Sequence, residues 1–224
     1  MSTDTLTTFF VLVALLSLGG AVVIAVGSAV LAATGGPPWL ASMRADLGRV
    51  ALPLATLVAG GATLGSLYYS EVVGYVPCTL CWGQRIFMYS LAVVLTVAAL
   101  RNDVGARVYG LALAIPGAAL SAYHSWLQAV PRQTSFCTTE APCAERHVWE
   151  LGFVSIPFMA LSAFLIVIAL LALATAPDGP RREAAGSVGG PRDEDSPRDE
   201  DSPRDEASPR DEDSPRDEDS KELV

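Results

Sequence analysis

Residues 77–100 read Pro-Cys-Thr-Leu-Cys-Trp-Gly-Gln-Arg-Ile-Phe-Met-Tyr-Ser-Leu-Ala-Val-Val-Leu-Thr-Val-Ala-Ala-Leu. The stretch joins a Cys-x-x-Cys pair, Cys78 and Cys81, to a long apolar run, Trp82–Leu100. About 20 mostly apolar residues are enough for a helix to cross a bilayer. The stretch therefore predicts a membrane helix that begins beside a pair of cysteines.

Four other runs have a similar length and composition: Leu6–Ala33, Val50–Tyr69, Val108–Leu127 and Phe153–Ala174. Of the 224 residues, 51% are hydrophobic, and the first 176 carry seven acidic and seven basic side chains. The net charge of −9 therefore lies entirely in the last 48 residues. A neutral body with long apolar runs is typical of a membrane protein and leaves no large water-soluble domain. We predict an all-α membrane protein with five transmembrane helices, which acts at the bilayer or in the short loops beside it.

Arginines in the short loops predict how the helices are oriented, because cytoplasmic loops carry an excess of Lys and Arg. If all five runs cross the membrane, six arginines fall on one side: Arg44, Arg49, Arg101, Arg107, Arg181 and Arg182. Only Arg132 and Arg146 fall in the loops on the other side, where all four cysteines lie. We therefore expect a multi-pass protein of the cell membrane, with the N-terminus and the cysteines outside the cytoplasm and the acidic tail inside.

The first run, Leu6–Ala33, differs from a signal peptide, since it lacks a positive n-region and is long for an apolar h-region. Cleavage would also place the Cys78 loop in the cytoplasm and reverse the arginine bias. We expect an uncleaved helix. Its Gly19, Gly20 and Gly27 either let another helix approach closely or are tolerated glycines that face lipid.

The last part of the chain repeats Pro-Arg-Asp-Glu-Asp-Ser in five copies from Pro191, the third copy with Ala207 in place of Asp. Almost no apolar residue occurs there, so the segment has nothing with which to build a core. We predict a disordered, solvated tail over residues 177–224. A specific binding role for its acidic repeats stays open.

The four cysteines form two pairs by spacing, Cys78 with Cys81 and Cys137 with Cys143. Cys-x-x-Cys is a typical redox spacing, and helix N-terminal amides favour the thiolate, which is the attacking species in thiol–disulfide exchange. Three interpretations compete: structural disulfides in the loops, a four-cysteine zinc site, and an electron relay between two exchangeable disulfides. The spacings are not those of a usual zinc site, and an oxidising compartment disfavours free thiolates. We favour the relay and expect no metal.

Arg85 follows Cys81 by one helical turn, at the outer edge of the predicted bilayer. A basic residue there is costly unless its side chain reaches the interface or meets a partner. Arg85 therefore either extends to the interface in the ordinary way or donates to the carbonyl of a quinone beside the thiol that reduces it.

At four places the chain resembles the DsbB family of disulfide-generating membrane proteins. These are residues 77–85 (Pro-Cys-Thr-Leu-Cys-Trp-Gly-Gln-Arg), 124–128 (His-Ser-Trp-Leu-Gln), 143–146 (Cys-Ala-Glu-Arg) and 152–158 (Gly-Phe-Val-Ser-Ile-Pro-Phe). In that order they look like the Cys-x-x-Cys-x-x-x-Arg signature at the start of the family's second helix, the end of its third helix, its second loop pair and the start of its fourth helix. The resemblance covers about residues 50–175.

The resemblance implies a four-helix transmembrane bundle with both cysteine pairs outside. We expect three parts: residues 1–49 with one extra N-terminal transmembrane helix, 50–176 with the four-helix bundle, and 177–224 as the tail. The resemblance also implies a quinone of the ubiquinone or menaquinone type as cofactor, and a thioredoxin-fold, DsbA-like dithiol oxidase as protein partner. We expect membrane lipid around the helices and no nucleic-acid partner.

The resemblance gives each cysteine a catalytic role. Cys81 would face the quinone, and Cys78 would exchange with the second pair. In that second pair, Cys137 would form the mixed disulfide with the partner protein, and Cys143 would be its redox mate. The interval between Cys137 and Cys143 is short for the family, so the partner would dock close to the membrane, and the order of attack among the sulfurs is left open.

Three further residues are implied to bind the quinone. Arg85, next to Gln84, would hold the quinone head group. His124 would lie near the quinone and supply protons. A neutral histidine that packs between helices is the alternative for His124.

A vitamin K epoxide reductase-like enzyme is the nearest alternative, but in that family the loop cysteines come first and the Cys-x-x-Cys lies in the last helix. A small transporter, or a non-enzymatic scaffold with disulfide-stapled loops, belongs to a different class. The body has no acidic residue at mid-span, which argues against a transporter. A scaffold needs no reactive cysteine pair, so thiol reactivity separates it from an enzyme.

Overall fold

The computed structural model describes residues 3–130, 137 and 142–175. Five long helices account for most of these residues: α1 (Thr3–Thr34), α2 (Pro38–Leu67), α3 (Thr79–Arg101), α4 (Arg107–Ala129) and α5 (Ile156–Leu173). A π-helix, Tyr68–Val72, continues α2, and a short 3-10 helix, Val104–Ala106, leads into α4.

All five long helices are long and apolar enough to cross a membrane, and each overlaps one of the apolar runs predicted from the sequence. Within the described ranges, the pairing of extended backbone is limited to one bridge, Glu150–Val154. The predicted all-α class is therefore confirmed. The predicted acidic tail, 177–224, lies outside the described residues, as do 131–136 and 138–141.

The second helix begins earlier than its apolar run suggested. α2 starts at Pro38 and not near Val50, so Arg44 and Arg49 lie on the helix and the prediction of a loop there was wrong. Proline suits the first turn of a helix because its missing N–H would have no partner there. An apolar run in the sequence identifies only the part of a helix that can lie in the hydrocarbon core of the bilayer. The preceding turns are exposed, and Arg49 pairs with Asp46 on their surface.

Four of the helices pack around a common core. α2 lies against α3, α3 against α4, α4 against α5, and α5 against α2, while α1 lies along α5 and touches α2 only lightly. The largest apolar side chains at the centre are Leu91, Leu95, Phe164 and Leu171, all fully buried. Because lipid tails are as apolar as these side chains, close van der Waals packing holds such helices together in a membrane.

Two glycines let α4 approach α5 closely. A methyl group placed on Gly117 would come within 2.4 Å of the Phe164 ring, and one on Gly110 within 2.7 Å of Leu171. Both distances are shorter than any ordinary carbon–carbon contact. The α4–α5 interface therefore depends on small residues at these two positions, as is common between membrane helices.

The bundle has two chemically different ends. At one end, the Arg107 guanidinium donates to the Ala174 carbonyl at 3.0 Å, and the Thr175 N–H donates to the Gly48 carbonyl at 3.1 Å. These bonds join the first half of α2, the start of α4 and the segment that follows α5, close to the α3–α4 connection. The cysteines lie at the opposite end, where α3 begins and α4 ends.

Candidate active site

The first cysteine pair is built into the start of α3. Cys78 is the N-cap residue, and its sulfur accepts a hydrogen bond from the backbone N–H of Cys81 at 3.3 Å. Cys81 lies in the first turn of α3, so the pair spans the start of the helix. The sequence had suggested that the whole pair precedes the helix. Both cysteines are unbridged, and their Sγ atoms lie 2.8 Å apart. Cys78 is buried and Cys81 is partly exposed.

His124 reaches Cys78 from α4 and is itself fully buried, at 1% exposure. Its Nδ1 lies 2.8 Å from the Gln84 amide nitrogen, and its Nε2 lies 2.9 Å from the Cys143 carbonyl oxygen. Because an amide N–H donates and a carbonyl accepts, Nδ1 is the acceptor and Nε2 carries the hydrogen. The same Nε2 atom lies 3.8 Å from the Cys78 sulfur, so its one hydrogen can be shared between the Cys143 carbonyl and a thiolate at position 78.

These contacts make Cys78 unusually acidic. The hydrogen bond from the Cys81 thiol is the main cause, and contacts with His124 and the Cys81 backbone N–H act in the same direction. Together they outweigh the burial of the sulfur and lower the pKa of Cys78 from 9.0 to about 4. At neutral pH, Cys78 in the unbridged pair is therefore a thiolate, which is the nucleophilic form of cysteine.

The second cysteine pair shares one buried cluster with the first. Cys137 and Cys143 form a disulfide. Cys143 belongs to a buried cluster with Cys78, Leu80 and Leu127, and Cys137 packs against that cluster. A four-cysteine zinc site is excluded in this state, because two of the four sulfurs are bonded to each other. The disulfide and the unbridged pair therefore lie in one cluster and line one cavity, and thiol–disulfide exchange requires such proximity.

Polar contacts fix the loop that carries Cys143 to the end of α4. The Gln128 amide donates to the Glu145 carbonyl at 2.7 Å. In return the Arg146 guanidinium donates to the Gln128 carbonyl, with Nε at 2.9 Å, and stacks over the Trp149 ring at 3.8 Å. The sequence had singled out 124–128 and 143–146 as separate motifs, and the structure shows them in direct contact.

Two cavities meet at the cysteines. We call the first the thiol cavity: it measures about 300 Å³ and is lined by residues that include Cys78, Cys81, His124 and Cys143. The second, the apolar cavity, measures about 420 Å³ and is lined mainly by apolar side chains of α1, α2, α3 and α5. Cys81 lines both cavities and so forms part of the wall between them.

Arg85 lines the apolar cavity near Cys81, as does Gln84. The Arg85 guanidinium donates to the Ser66 carbonyl at 3.2 Å and lies 5.4 Å from the centre of the Trp82 ring. The part of the chain that the structure describes offers it no carboxylate. A charged donor is thus held at the edge of an apolar space with capacity left for an acceptor.

The predicted site residues separate into two groups. Arg85 and Gln84 line the apolar cavity, whereas His124 lines only the thiol cavity and connects to the other through its bond with Gln84. Sequence reasoning missed Tyr75 and His147, which stack at 4.7 Å and line both cavities. No local pattern marks this pair, because its members lie in loops that come together only in the folded chain.

The site contains one group of potential metal ligands and one cavity that could hold an organic cofactor. The ligand atoms of Cys78, Cys81 and His124 lie within 4.8 Å of one another. Both ring nitrogens of His124 are already hydrogen-bonded, so a metal ion would have to displace one of its partners. The apolar cavity fits a flat, largely apolar organic cofactor better, since cavities of about 300–1,000 Å³ with few polar groups are typical of such sites.

Two cysteine pairs in one buried cluster, at one end of a bundle of helices long and apolar enough to cross a membrane, are the arrangement expected of a membrane thiol–disulfide oxidoreductase. A profile of the family described as "Disulfide bond formation protein DsbB" matches residues 48–174. The chain belongs to this family, in agreement with the resemblance found in its motifs. Membership implies a membrane oxidoreductase that forms disulfide bonds.

Several relatives are named as disulfide formation proteins, and the alignment with this chain covers most of the length of each. The chain is 41% identical to disulfide bond formation protein C of Bacillus subtilis over 119 residues, which is 52% of this chain and 86% of the relative. It is 45% identical over 112 residues to a probable disulfide formation protein of Oceanobacillus iheyensis, 49% of this chain and 77% of the relative. A probable disulfide formation protein of Deinococcus radiodurans is 41% identical over 132 residues, which is 54% of this chain and 85% of the relative. No solved structure is significantly similar to the chain.

Proposed function

We propose that this protein reoxidises an extracytoplasmic thioredoxin-fold dithiol protein, of the DsbA-like kind, and passes the two electrons to a membrane quinone of the ubiquinone or menaquinone type. Family membership supports disulfide formation at the membrane. The quinone and the partner protein are proposals that rest on the family and on the geometry of the site.

One observation carries the proposal: Cys81 lies in the wall shared by the two cavities. On one side, the thiol cavity gives access to Cys78 and to the Cys137–Cys143 disulfide through Cys143. On the other side, the apolar cavity presents Arg85. The Cys78–Cys81 pair in that position can receive two electrons through the thiol cavity and release them into the apolar cavity.

The apolar cavity would hold the quinone. Its size and apolar lining suit a lipid-soluble ring, Arg85 provides a charged donor, and the Tyr89 hydroxyl, bonded to Ser66 Oγ at 3.3 Å, provides a second polar group. When bound, a quinone supplies the oxidising chemistry, because it accepts the two electrons and two protons that leave a dithiol as it becomes a disulfide. The protein contributes position and electrostatics.

The sulfur chemistry is a chain of two exchanges. In the first, the partner's dithiol reduces the Cys137–Cys143 disulfide and becomes a disulfide itself. In the second, the Cys137 and Cys143 thiols reduce a Cys78–Cys81 disulfide, so that the second pair is bridged again and the first pair carries two electrons and two protons. The described arrangement, with the second pair bridged and the first pair as thiols, corresponds to the end of this second exchange.

The acidity of Cys78 assists the second exchange. When Cys137 attacks a mixed disulfide between Cys143 and Cys78, the sulfur of Cys78 is the leaving group. A thiol with a lower pKa leaves faster, and the pKa of Cys78 is about 4. The contact between His124 Nε2 and the Cys78 sulfur supports a donor that would stabilise the departing thiolate. We therefore propose that His124 acts at the sulfurs, whereas the resemblance implied a role near the quinone.

Orientation and domain limits are part of the proposal. We place the cysteine end outside the cytoplasm and the Arg101 and Arg107 end inside, following the arginine bias of the short loops. We further propose that residues 50–176 are the catalytic four-helix unit, preceded by an added helix within 1–49 and followed by a tail, 177–224. The opposite positions of the cysteine and arginine ends in the bundle support this topology.

The decisive experiment follows quinone absorbance with purified protein in detergent after addition of a reduced thioredoxin-fold dithiol protein. We expect wild type to reduce the quinone, and Cys81→Ser and Cys137→Ser to abolish the reaction. Ser125→Ala, on α4 beside His124, is the control, because its hydroxyl bonds only within its own helix, to the Ser121 carbonyl.

If the dithiol protein used is not a substrate, wild type shows no quinone reduction even when it is an enzyme. The reactive thiols are therefore counted after mild reduction, to show whether the cysteines can exchange. Reactive thiols with no quinone reduction by any dithiol tested would refute the quinone step. Four unreactive cysteines would refute the proposal that the protein is an enzyme, and a membrane scaffold with disulfide-bonded loops would remain.

A further inference from the structure

Helix α1 lies outside the family match, which begins at residue 48. Yet its first half lines the apolar cavity through Phe9, Phe10, Val13, Ala14 and Ser17. The cavity proposed for the quinone is therefore not formed by the family's helices alone. One of its walls comes from a helix that the family profile does not include.

Phe10 makes the closest contacts between this wall and the rest of the cavity. A methyl group placed on Gly65 of α2 would come within 3.1 Å of the Phe10 ring, so the ring lies directly on the helix backbone there. The Phe10 ring also lies 5.8 Å from that of Tyr69 in the π-helix. The Tyr69 hydroxyl in turn donates to Thr7 Oγ1 at 3.3 Å, which fixes this part of α1 against the π-helix.

A row of aromatic rings connects this wall to the cysteine end. Tyr69 stacks on Tyr75 at 5.9 Å, and Tyr75 stacks on His147 at 4.7 Å. Tyr75 and His147 line both cavities, whereas Phe10 and Tyr69 line only the apolar one. The row therefore runs along the cavity from the added helix to the wall that contains Cys81.

We propose that Phe10 is a quinone-binding residue and that α1 closes the cavity on the side of the lipid. This inference rests on the proposed function and deepens it, because it names a binding surface that this chain adds to its family's site. The ligand is the flat, apolar head group of a quinone, which stacks favourably against an aromatic ring.

The test measures kcat and KM for a decyl-substituted benzoquinone, with a saturating reduced dithiol protein as electron donor. Loss of an aromatic contact of about 1.4 kcal/mol corresponds to about tenfold in binding. We therefore expect Phe10→Ala to raise KM about tenfold with kcat nearly unchanged, since Phe10 touches neither cysteine pair. Phe10→Leu, which keeps apolar volume, should raise KM less and serves if the alanine variant fails to fold.

Leu16→Ala is the matched control, because Leu16 lies on α1, is 76% exposed and does not line the cavity. The dissociation constant of the same quinone is measured in parallel by quenching of tryptophan fluorescence, which needs no turnover. If wild type turns over and neither Phe10 variant differs from Leu16→Ala in KM, the inference fails and the proposed function stands. If wild type has reactive thiols but reduces the quinone with none of the dithiol proteins tested, the proposed function fails, and equal dissociation constants for all variants would then overturn the inference too.

Discussion

At the scale of single residues, Cys78 owes its acidity to groups that the fold brings from two helices. Cys81 provides a thiol and a backbone N–H from α3, and His124 provides its Nε2–H from α4. Because His124 is held from both sides, by Gln84 and by the Cys143 carbonyl, its ring cannot turn away from the sulfur. The redox pair and the loop of the second pair thus share one histidine.

Replacement of His124 by leucine should raise the pKa of Cys78, because the thiolate loses a donor while its burial stays. The measurement is a pH titration of thiolate ultraviolet absorbance in protein whose first pair is reduced. Ser125→Ala should leave the titration midpoint at its wild-type value, well below that of an ordinary thiol. An unchanged midpoint in His124→Leu would show that the thiolate does not depend on the imidazole.

The acidity of Cys78 also predicts how the reduced protein's stability varies with pH. The pKa of Cys78 is about 4 in the folded protein and 9.0 in an ordinary thiol. A depressed pKa stabilises the fold above the unfolded value and loses its effect as pH falls through the folded value. The free energy of unfolding of the reduced wild type, relative to Cys78→Ser, should therefore decrease steadily from pH 9 to pH 4. Chemical denaturation in detergent at several pH values measures it, and a difference independent of pH would contradict the thiolate assignment.

Arg85 and Arg101 offer a matched comparison at the two ends of α3. A hydrogen bond to a charged group contributes about 1.5–3 kcal/mol, so Arg85→Gln should raise the KM for quinone by at least about tenfold. Arg101→Gln, at the opposite end of the helix, should leave KM unchanged. Steady-state kinetics with a decyl-substituted benzoquinone measures both. Equal effects of the two substitutions would point to a general loss of charge and not to a bound head group.

At the scale of helices, the contact between α4 and α5 gives the clearest stability prediction. Gly117→Ala would force the Phe164 ring away from its position and should cost about 1–3 kcal/mol, as overpacking usually does. Gly60→Ala makes the same chemical change on α2, where nothing lies within 4 Å, and should be neutral or slightly stabilising. Thermal unfolding in detergent compares the two. A Gly117→Ala protein as stable as Gly60→Ala would mean that the helices are packed less closely than described.

The helices themselves were predictable from the sequence, because a membrane span is a local property of about 20 residues. The early start of α2 at Pro38 was not, since its first turns mix apolar residues with the charged Arg44, Asp46 and Arg49 and form no continuous apolar run. The site was predictable only where a motif marked it, as at Cys78, Cys81 and Arg85. The stacking of Tyr75 on His147, and of Phe10 on Gly65, joins segments far apart in the chain, and no spacing rule encodes such contacts.

At the scale of the whole molecule, the opposite placement of the cysteine and arginine ends predicts which loops leave the cytoplasm. Alkaline phosphatase is active only outside the cytoplasm. A fusion after Val130, at the end of α4, should therefore be active, and one after Asp103, between α3 and α4, should be inactive. Enzyme activity corrected for the amount of fusion protein is the readout. The reverse pattern would overturn the orientation proposed from the arginine bias.

The position of Cys81 between two cavities has a consequence for steady-state kinetics. In the proposed function the dithiol protein reacts with the Cys137–Cys143 pair and the quinone with the Cys78–Cys81 pair, from separate entrances. Neither substrate therefore has to leave before the other can bind. The reaction should follow a two-site ping-pong scheme, in which each product competes only with the substrate of its own entrance. Quinol should be a competitive inhibitor against quinone and noncompetitive against the dithiol protein, and the oxidised partner should show the opposite pattern. A protein with a single shared entrance would reverse these inhibition types.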